Sequence, residues 1–240
     1  MSARTVLMVG SARPTGTSTS ESLGRYLLDR LQDRQARVLH VNRLRSDASC
    51  ESLLRDVDLA GLVVLAAPVY VDSLPYLVTR AFEKIARHRA AAAARHTTRL
   101  VAIINCGFPE AFHTTTALEI CRAFAGEARL EWAGGLGLGG GEAIAGKPLH
   151  EAGLLVRNVR RALDLTAEAL LAGQAVPDEA VALMARPLVP SRLYTLLASM
   201  RWRREARANG ARRRLAARPF DRPTGSPRRS DPRLVSMPPA

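Results

Sequence analysis

A loop rich in glycine and hydroxyl residues follows the first apolar segment of the chain, and its residue types suit an anion. Thr5–Val9 is short, apolar and uncharged, which is typical of a buried parallel strand. Leucines from Leu23 onward predict a helix that begins near residues 17–19 and ends at about Arg34. The first turn of a helix has unpaired N–H groups and a partial positive charge, and both favour an anion. The side chains that add donors there are Ser11, Arg13, Thr15, Thr17, Ser18, Thr19 and Ser20.

The loop lacks the common nucleotide-binding motifs, and this narrows the kind of phosphate group that it could bind. Gly10 and Gly16 are one residue too far apart for G-x-x-x-x-G-K-[ST], and Thr17 replaces its lysine. Ala12 stands at the second glycine of G-x-G-x-x-G. A terminal monophosphate, as in flavin mononucleotide (FMN), suits such a loop. The alternative is a serine-rich turn that only caps the helix.

Four more apolar segments alternate with helical patterns along the chain. Such alternation predicts an α/β fold with one parallel sheet covered on both faces. We therefore expect a flavodoxin-like three-layer sandwich with five strands in the order 2-1-3-4-5, which places a ligand at the carboxyl ends of strands one, three and four. The other predicted strands are Arg37–Val41, Leu59–Ala67, Arg99–Asn105 and Ala128–Ala133, and the longer predicted helices are Pro75–His88, one around Ala117–Phe124, and Leu149–Ala172.

The loops after the third and fourth strands carry the remaining candidates. Tyr70 stands between Pro68 and Pro75 in a rigid loop and can lie against a flat heterocycle, or else pack on the next helix. After the fourth strand, Gly107 allows close approach of the backbone and Phe108 can cover a ring edge. Glu110 and His113 are candidates to orient a substrate or supply a proton, although His113 alternatively has only a structural role.

The glycine-rich run Gly134–Gly141 formally contains G-x-G-x-x-G, but no helix opens at its last glycine. In that motif the acidic residue that binds the ribose lies about 20 residues after the glycines, and Glu142 is too near to them to take this role. We expect a mobile loop on the ligand side after a strand that ends at Ala133, or a plain connector.

The net charge of +13 is concentrated at the carboxyl end of the chain. Between Arg186 and Arg233 there are 14 arginines and three acidic residues, so residues 1–185 are nearly neutral. Apolar residues at helical spacing, with arginines beside them, predict a basic amphipathic helix that ends at Asn209–Gly210. We expect residues 1–175 to form the main domain, 176–218 a helical basic extension and 219–240 a disordered tail. The apolar residues of this helix are Leu193, Leu196, Leu197 and Met200.

Three uses of the extension compete: docking on the core or on a partner subunit, lying on an anionic membrane surface, or binding nucleic acid. Docking is favoured because the leucines need an apolar partner, and nucleic acid is disfavoured because no recognised nucleic-acid-binding fold or aromatic pattern is present. No apolar stretch is long enough to span a bilayer and no signal-peptide pattern occurs, so we expect a cytoplasmic protein. Cys50, Cys106 and Cys121 are widely spaced, which argues against disulfides, a zinc ribbon or an iron–sulfur cluster; we expect no metal.

Three motifs together resemble the flavodoxin-like NAD(P)H-dependent oxidoreductases, the NADPH-dependent FMN reductase superfamily. They are Gly10-Ser11-Ala12-Arg13 with Gly16-Thr17-Ser18, then Pro68–Pro75, then Cys106–Glu110. The resemblance covers residues 4–172, and the region of Tyr194, Trp202 and Gly210 is similar to carboxyl extensions on some such proteins. Thr17 stands where many members have asparagine, and the clustered cysteines of the iron–sulfur branch are missing.

The resemblance implies specific roles for the three loops. Ser11, Arg13, Thr17, Ser18 and Thr19 would hold the FMN phosphate. Pro68, Val69 and Tyr70 would border one side of the isoalloxazine, and Asn105, Cys106, Gly107 and Phe108 the other. It also implies NAD(P)H as co-substrate and a homo-oligomer, since members often form dimers in which both subunits line each site.

The resemblance thus implies hydride transfer from NAD(P)H to bound flavin and on to a small acceptor, such as a quinone, a nitro compound or a flavin. It requires no dedicated acid or base from the protein. A flavodoxin-type electron carrier is the alternative, although the nearly neutral core lacks the acidic face that docking on redox partners favours. A cofactor-free interaction module with the same fold is a third possibility.

Overall fold

A computed structural model of the chain describes residues 4–44, 46–91 and 96–217. The strands are β1 (Arg4–Val9), β2 (Arg37–His40), β3 (Ala60–Pro68), β4 (Arg99–Asn105) and β5 (Glu131–Leu138). The α-helices of this part are α1 (Thr19–Leu31), α2 (Asp47–Leu59), α3 (Tyr76–Ala91), α4 (Thr115–Glu127), α5 (Arg157–Leu171), α6 (Asp178–Met184) and α7 (Ser191–Ala208). All neighbouring strands are parallel, in the order β2-β1-β3-β4-β5. This order is flavodoxin-like, and the predicted fold class is confirmed.

The two faces of the sheet carry separate hydrophobic cores, as side-chain alternation along a strand requires. In β1, Val6 and Met8 pack with α2, α3 and α4, whereas Leu7 and Val9 pack with α1, α5 and α6. Because both faces are covered, the central strands are continuously apolar. The sheet is therefore the middle layer of a three-layer sandwich.

The fifth strand corrects the sequence prediction. The segment Ala128–Ala133 was expected to be the strand and the following glycines a mobile loop, but β5 runs through those glycines to Leu138. Packing explains the difference: a Cβ at Gly135 would lie 2.6 Å from Leu118 Cδ2 of α4. Glycine has low strand propensity, but here it permits close approach of helix and strand, and pairing with β4 supplies the hydrogen bonds.

Two helix ends also differ from expectation. Helix α1 ends at Leu31 rather than near Arg34, because Gln32 adopts a left-handed backbone conformation with φ of 53°. Helix α5 begins at Arg157 rather than near Leu149, after a short 3₁₀ segment, Gly153–Val156. Gly153 has a φ of 65°, which an α-helix cannot accommodate.

The described residues divide into two compact units, one ending at Tyr194 and the other beginning at Thr195. The first unit extends past residue 175, since Ala180 and Met184 of α6 are buried in its core. The expected basic helix is present as α7, and it ends just before Asn209–Gly210. The tail predicted to be disordered, residues 219–240, lies outside the described residues. In the part of the chain described, no helix combines the length and apolar character needed to cross a membrane.

Candidate functional site

Three loops meet at the carboxyl edge of the sheet, where ladder-like hydrogen bonds continue past the strand ends. Gly10 N–H donates to the Ala66 carbonyl at 2.8 Å, and Val69 N–H donates to the Asn105 carbonyl at 2.8 Å. One strand further, Cys106 N–H donates to Leu138 at 2.9 Å. These bonds fix the β1–α1, β3–α3 and β4–α4 loops side by side, as the topology predicts.

The β1–α1 loop leads into a capped helix start. Ser18 is the N-cap of α1, and its hydroxyl accepts a hydrogen bond from Glu21 N–H at 3.1 Å. Ser11 is buried, and its Oγ accepts from Arg13 N–H at 3.2 Å, so it keeps its own O–H for another acceptor. Gly16 has a φ of 79° with open space beside its Cα. Backbone donors and hydroxyls thus converge at the positive end of the α1 dipole.

Glu21 is the residue of this loop region that we did not single out from the sequence. The residue is only 1% exposed, and its carboxylate accepts hydrogen bonds from Gly16 N–H at 2.6 Å and Arg25 Nε at 2.8 Å. Burial raises the pKa of Glu21, but those two donors and nearby His40 together hold the pKa below its ordinary value. Glu21 therefore stays ionised and ties the turn at Gly16 to α1. The S-x-x-E spacing from Ser18 to Glu21, typical of a helix N-terminus, was the available signal.

His40, at the end of β2, lies 3.6 Å from the Glu21 carboxylate. Burial lowers the pKa of His40; the Glu21 charge opposes this, while Arg43 and Arg25 add to it. The net direction is downward, so the imidazole is neutral at pH 7.

Two of the predicted phosphate-binding hydroxyls already donate hydrogen bonds to carbonyl groups of the protein. Thr17 Oγ1 donates to the Pro14 carbonyl at 2.7 Å. Thr19 Oγ1, which is buried, donates to the Gly141 carbonyl at 2.8 Å. Thr17 N–H also donates to the Pro14 carbonyl, at 3.2 Å, so in this arrangement Thr19 can offer an anion its backbone N–H but Thr17 cannot. The two hydroxyls hold the loop and join α1 to the segment after β5.

Arg13 reaches across the edge of the sheet. Its guanidinium forms a 2.9 Å ion pair with Glu142, and both side chains are about half exposed. An incoming phosphate would compete with Glu142 for this cation. Because exposed pairs contribute only about 0–1 kcal/mol, exchange of partner is cheap.

The β3–α3 loop is a tight turn. Tyr70 and Ser73 exchange backbone hydrogen bonds of 2.9 and 3.2 Å, and between them Val71 and Asp72 have φ values of 51° and 58°. Positive φ is costly for a β-branched residue, on the order of 1–3 kcal/mol. Val71 is also 98% exposed, and the Tyr70 side chain is 45% exposed. Pro68 and Val69 are half-buried beneath this turn. The aromatic side chain of Tyr70 thus stands partly exposed at the edge of the sheet.

The β4–α4 loop carries an aromatic cluster. Phe108 and Phe112 flank His113, with ring centroids 4.4 and 4.1 Å from its imidazole. Both phenyl rings are more than half exposed. His113 is therefore held by stacking, and the cluster offers an apolar, aromatic surface next to Gly107.

Asn105 and Cys106 lie beneath this loop. Asn105 is buried, and its Oδ1 accepts from Ser20 Oγ at 2.7 Å, which links the end of β4 to the start of α1. Burial raises the pKa of the Cys106 thiol, and its Sγ donates to the carbonyls of Phe108 and Glu110 at 3.4 and 3.6 Å. Cys106 is thus a protonated structural thiol rather than a nucleophile.

The donor set fits a phosphate group better than a metal ion. Ser11, Ser18 and the amides of the α1 start are neutral donors beside the guanidinium of Arg13, which is the chemistry of an anion site. Over residues 4–44, 46–91 and 96–217, no group of three or more His, Cys, Asp or Glu side chains is placed to hold a metal.

Comparisons with known proteins bear on the fold. No family model matches the chain, and no curated protein matches it. An NADH:FMN oxidoreductase solved in its apo form is similar in structure, with a TM-score of 0.53 and 16% sequence identity, over 79% of this chain and 97% of that one. A flavone reductase has a TM-score of 0.52 and 12% identity, over 72% of this chain and 65% of that one. The resemblance inferred from the motifs is confirmed at the level of the fold: the chain has the flavodoxin-like fold of an NADH:FMN oxidoreductase.

Proposed function

We propose that the chain is an FMN-dependent oxidoreductase that takes a hydride from NAD(P)H and passes electrons to a small acceptor. The acceptor class is a quinone, a nitro compound or a free flavin. The observation that carries the proposal is the group of hydrogen-bond donors at the start of α1, which lies beside two loops that present aromatic side chains. The structural similarity of the chain to an NADH:FMN oxidoreductase supports the same function.

The residues of the β1–α1 loop would bind the phosphate of FMN. Ser11 and Ser18 would donate hydroxyl hydrogen bonds and Thr19 a backbone hydrogen bond. Thr17 would first have to release the Pro14 carbonyl, and Arg13 would leave Glu142 to pair with the phosphate. Glu21 does not oppose this, because its charge is already matched by Arg25 and Gly16 N–H.

The other two loops would hold the ring. The chemistry that FMN supplies when bound is acceptance of a hydride and delivery of electrons to a second molecule. Pro68, Val69 and Tyr70 would cover one side of the ring, while Asn105–Phe108 would line the other and exclude water. The protein then needs no acid or base of its own, and His113 contributes through stacking rather than proton transfer.

Flavin titration tests the phosphate site. Riboflavin lacks the phosphate of FMN, so the ratio of the two affinities isolates the loop's contribution. We expect the protein to bind FMN with a micromolar or lower dissociation constant. Ser18→Ala should weaken FMN binding about 10-fold or more, as loss of one charge-assisted hydrogen bond implies, and leave riboflavin binding unchanged.

A matched control exists in Ser46→Ala. Ser46 is the N-cap of α2 and accepts from Ser49 N–H, so this variant loses a cap away from the site. It should leave both affinities unchanged. Failure of the wild-type protein to bind FMN would refute the proposal. Binding without oxidation of NADH or NADPH in the presence of a small quinone would favour an electron carrier instead.

A further inference from the structure

Tyr194 connects the carboxyl-terminal part of the first unit to the β4–α4 loop. Its hydroxyl donates to the Gly107 carbonyl at 2.6 Å, although the two residues are 87 positions apart in the chain. The tyrosine is half-buried, and its own N–H donates to the Pro190 carbonyl at 2.9 Å, which fixes the start of α7. A side chain from beyond the parallel sheet thus bonds the backbone of a predicted flavin-binding loop.

The same loop is bonded on its other side by the segment after β5. Gly140 N–H donates to the Phe108 carbonyl at 2.6 Å, and Gly141 N–H donates to the Cys106 carbonyl at 2.9 Å. The Tyr194 ring lies over this segment, since a Cβ added at Gly140 would lie 3.7 Å from Cε2 of Tyr194. Tyr194 therefore contacts both segments that shape this side of the sheet edge.

The bond to Gly107 constrains one particular peptide group. The described residues contain no cis peptide bond, so the Gly107 carbonyl and the Phe108 N–H point in opposite directions. With the carbonyl held toward Tyr194, the Phe108 N–H is held away from it. Rotation of this peptide would break the Tyr194 bond and turn the donor.

We propose that Tyr194 is a positioning residue for the flavin ring, because its hydroxyl fixes the Gly107–Phe108 peptide and with it the direction of the Phe108 N–H. The proposal rests on the proposed function for the identity of the ligand. The hydrogen bond from Tyr194 to the Gly107 carbonyl, which we call the clamp, is a property of the protein alone. It gives the end of the first unit, from α6 to Tyr194, a role in the site.

The test compares Tyr194→Phe with Tyr26→Phe. Each variant removes one hydroxyl, but Tyr26 donates to Asp164 at 3.0 Å, away from the three loops. In the full-length protein without flavin, we expect Tyr194→Phe to speed amide hydrogen exchange in residues 106–110 and 139–141 about 3- to 10-fold, as loss of one hydrogen bond implies. Tyr26→Phe should leave those amides unchanged.

Flavin affinity is the second readout. The Tyr194–Gly107 bond acts on a loop that would contact the flavin ring and not the phosphate. Tyr194→Phe should therefore weaken the binding of FMN and of riboflavin by the same factor of about 3 to 10. The thermal midpoint of Tyr194→Phe should stay close to that of the wild type, whereas a merely structural role would lower the midpoint together with the flavin affinity. Unchanged exchange in the two loops overturns the inference, and so does faster exchange with unchanged flavin affinity. Failure of the wild-type protein to bind either flavin refutes the proposed function, and the exchange result alone then decides the clamp.

Discussion

Replacing Glu21 with glutamine should destabilise the protein and make the loss depend on pH. Glutamine keeps the shape of the side chain, and its carbonyl can still accept from Gly16 N–H. The charge on that 2.6 Å bond is lost, and so is the pairing with Arg25 and the favourable interaction of an acid with the α1 dipole. The Arg25 pair is discounted because its guanidinium is half exposed. Together these losses amount to about 2 kcal/mol at pH 7.

The pH dependence follows from the direction of the pKa shift. The folded protein holds the pKa of Glu21 below its ordinary value of 4.5, so the stabilisation is fully present above that value. It is lost as the pH falls through the lowered folded pKa, because a protonated Glu21 resembles glutamine. His40, whose folded pKa is also lowered, weakens the wild type below its ordinary value of 6.5. Because the Glu21 charge opposes that lowering, the glutamine variant is weakened more than the wild type in this range.

Urea unfolding of wild type and Glu21→Gln at pH 7, 5 and 3.5 measures the difference in free energy of unfolding. The difference should be at least as large at pH 5 as at pH 7, and smaller at pH 3.5, which lies below the ordinary pKa of 4.5. Glu142→Gln is the matched control, since that carboxylate is half exposed, and it should change stability by less than about 1 kcal/mol. A difference that does not vary with pH would contradict the assignment of the effect to the ionised, buried carboxylate.

Three further outcomes are expected. Gly10→Ala should cost about 1–3 kcal/mol in urea unfolding, because the new Cβ would lie 2.6 Å from a buried alanine, whereas Gly126→Ala, which meets open space in α4, should stabilise by about 0.5–1 kcal/mol. Phe124→Ala should cost about 3–5 kcal/mol in the same assay, since its ring stacks on Phe82 with centroids 3.6 Å apart; a loss below 1 kcal/mol would contradict the core packing. Cys121 is fully buried, which raises its thiol pKa to about 12, so a thiol reagent at pH 8 should modify it in urea but not in the native protein, as mass spectrometry can check.

The amino-acid sequence determined the order of elements and the edge of the sheet that carries the candidate site. Apolar runs such as Val6–Val9 bury both faces of a strand, and the helical spacing of leucines in α1 marks a helix whatever its neighbours are. The helix start that forms the candidate anion site could likewise be predicted, because an N-cap such as Ser18 acts on backbone groups within one turn. These features depend on local chemistry, so a single sequence is enough to find them.

Tertiary contacts decided the rest. Strand β5 passes through glycines because α4 packs too closely for side chains, a fact that glycine's own propensity hides. The hydroxyl of Thr19 is drawn to the Gly141 carbonyl, 122 residues away, and that of Tyr194 to Gly107, 87 residues away. Hydroxyl groups bond whichever acceptor the fold brings within about 3 Å, and sequence spacing carries no record of that choice. Which groups can donate to a ligand is therefore fixed only when the chain has folded.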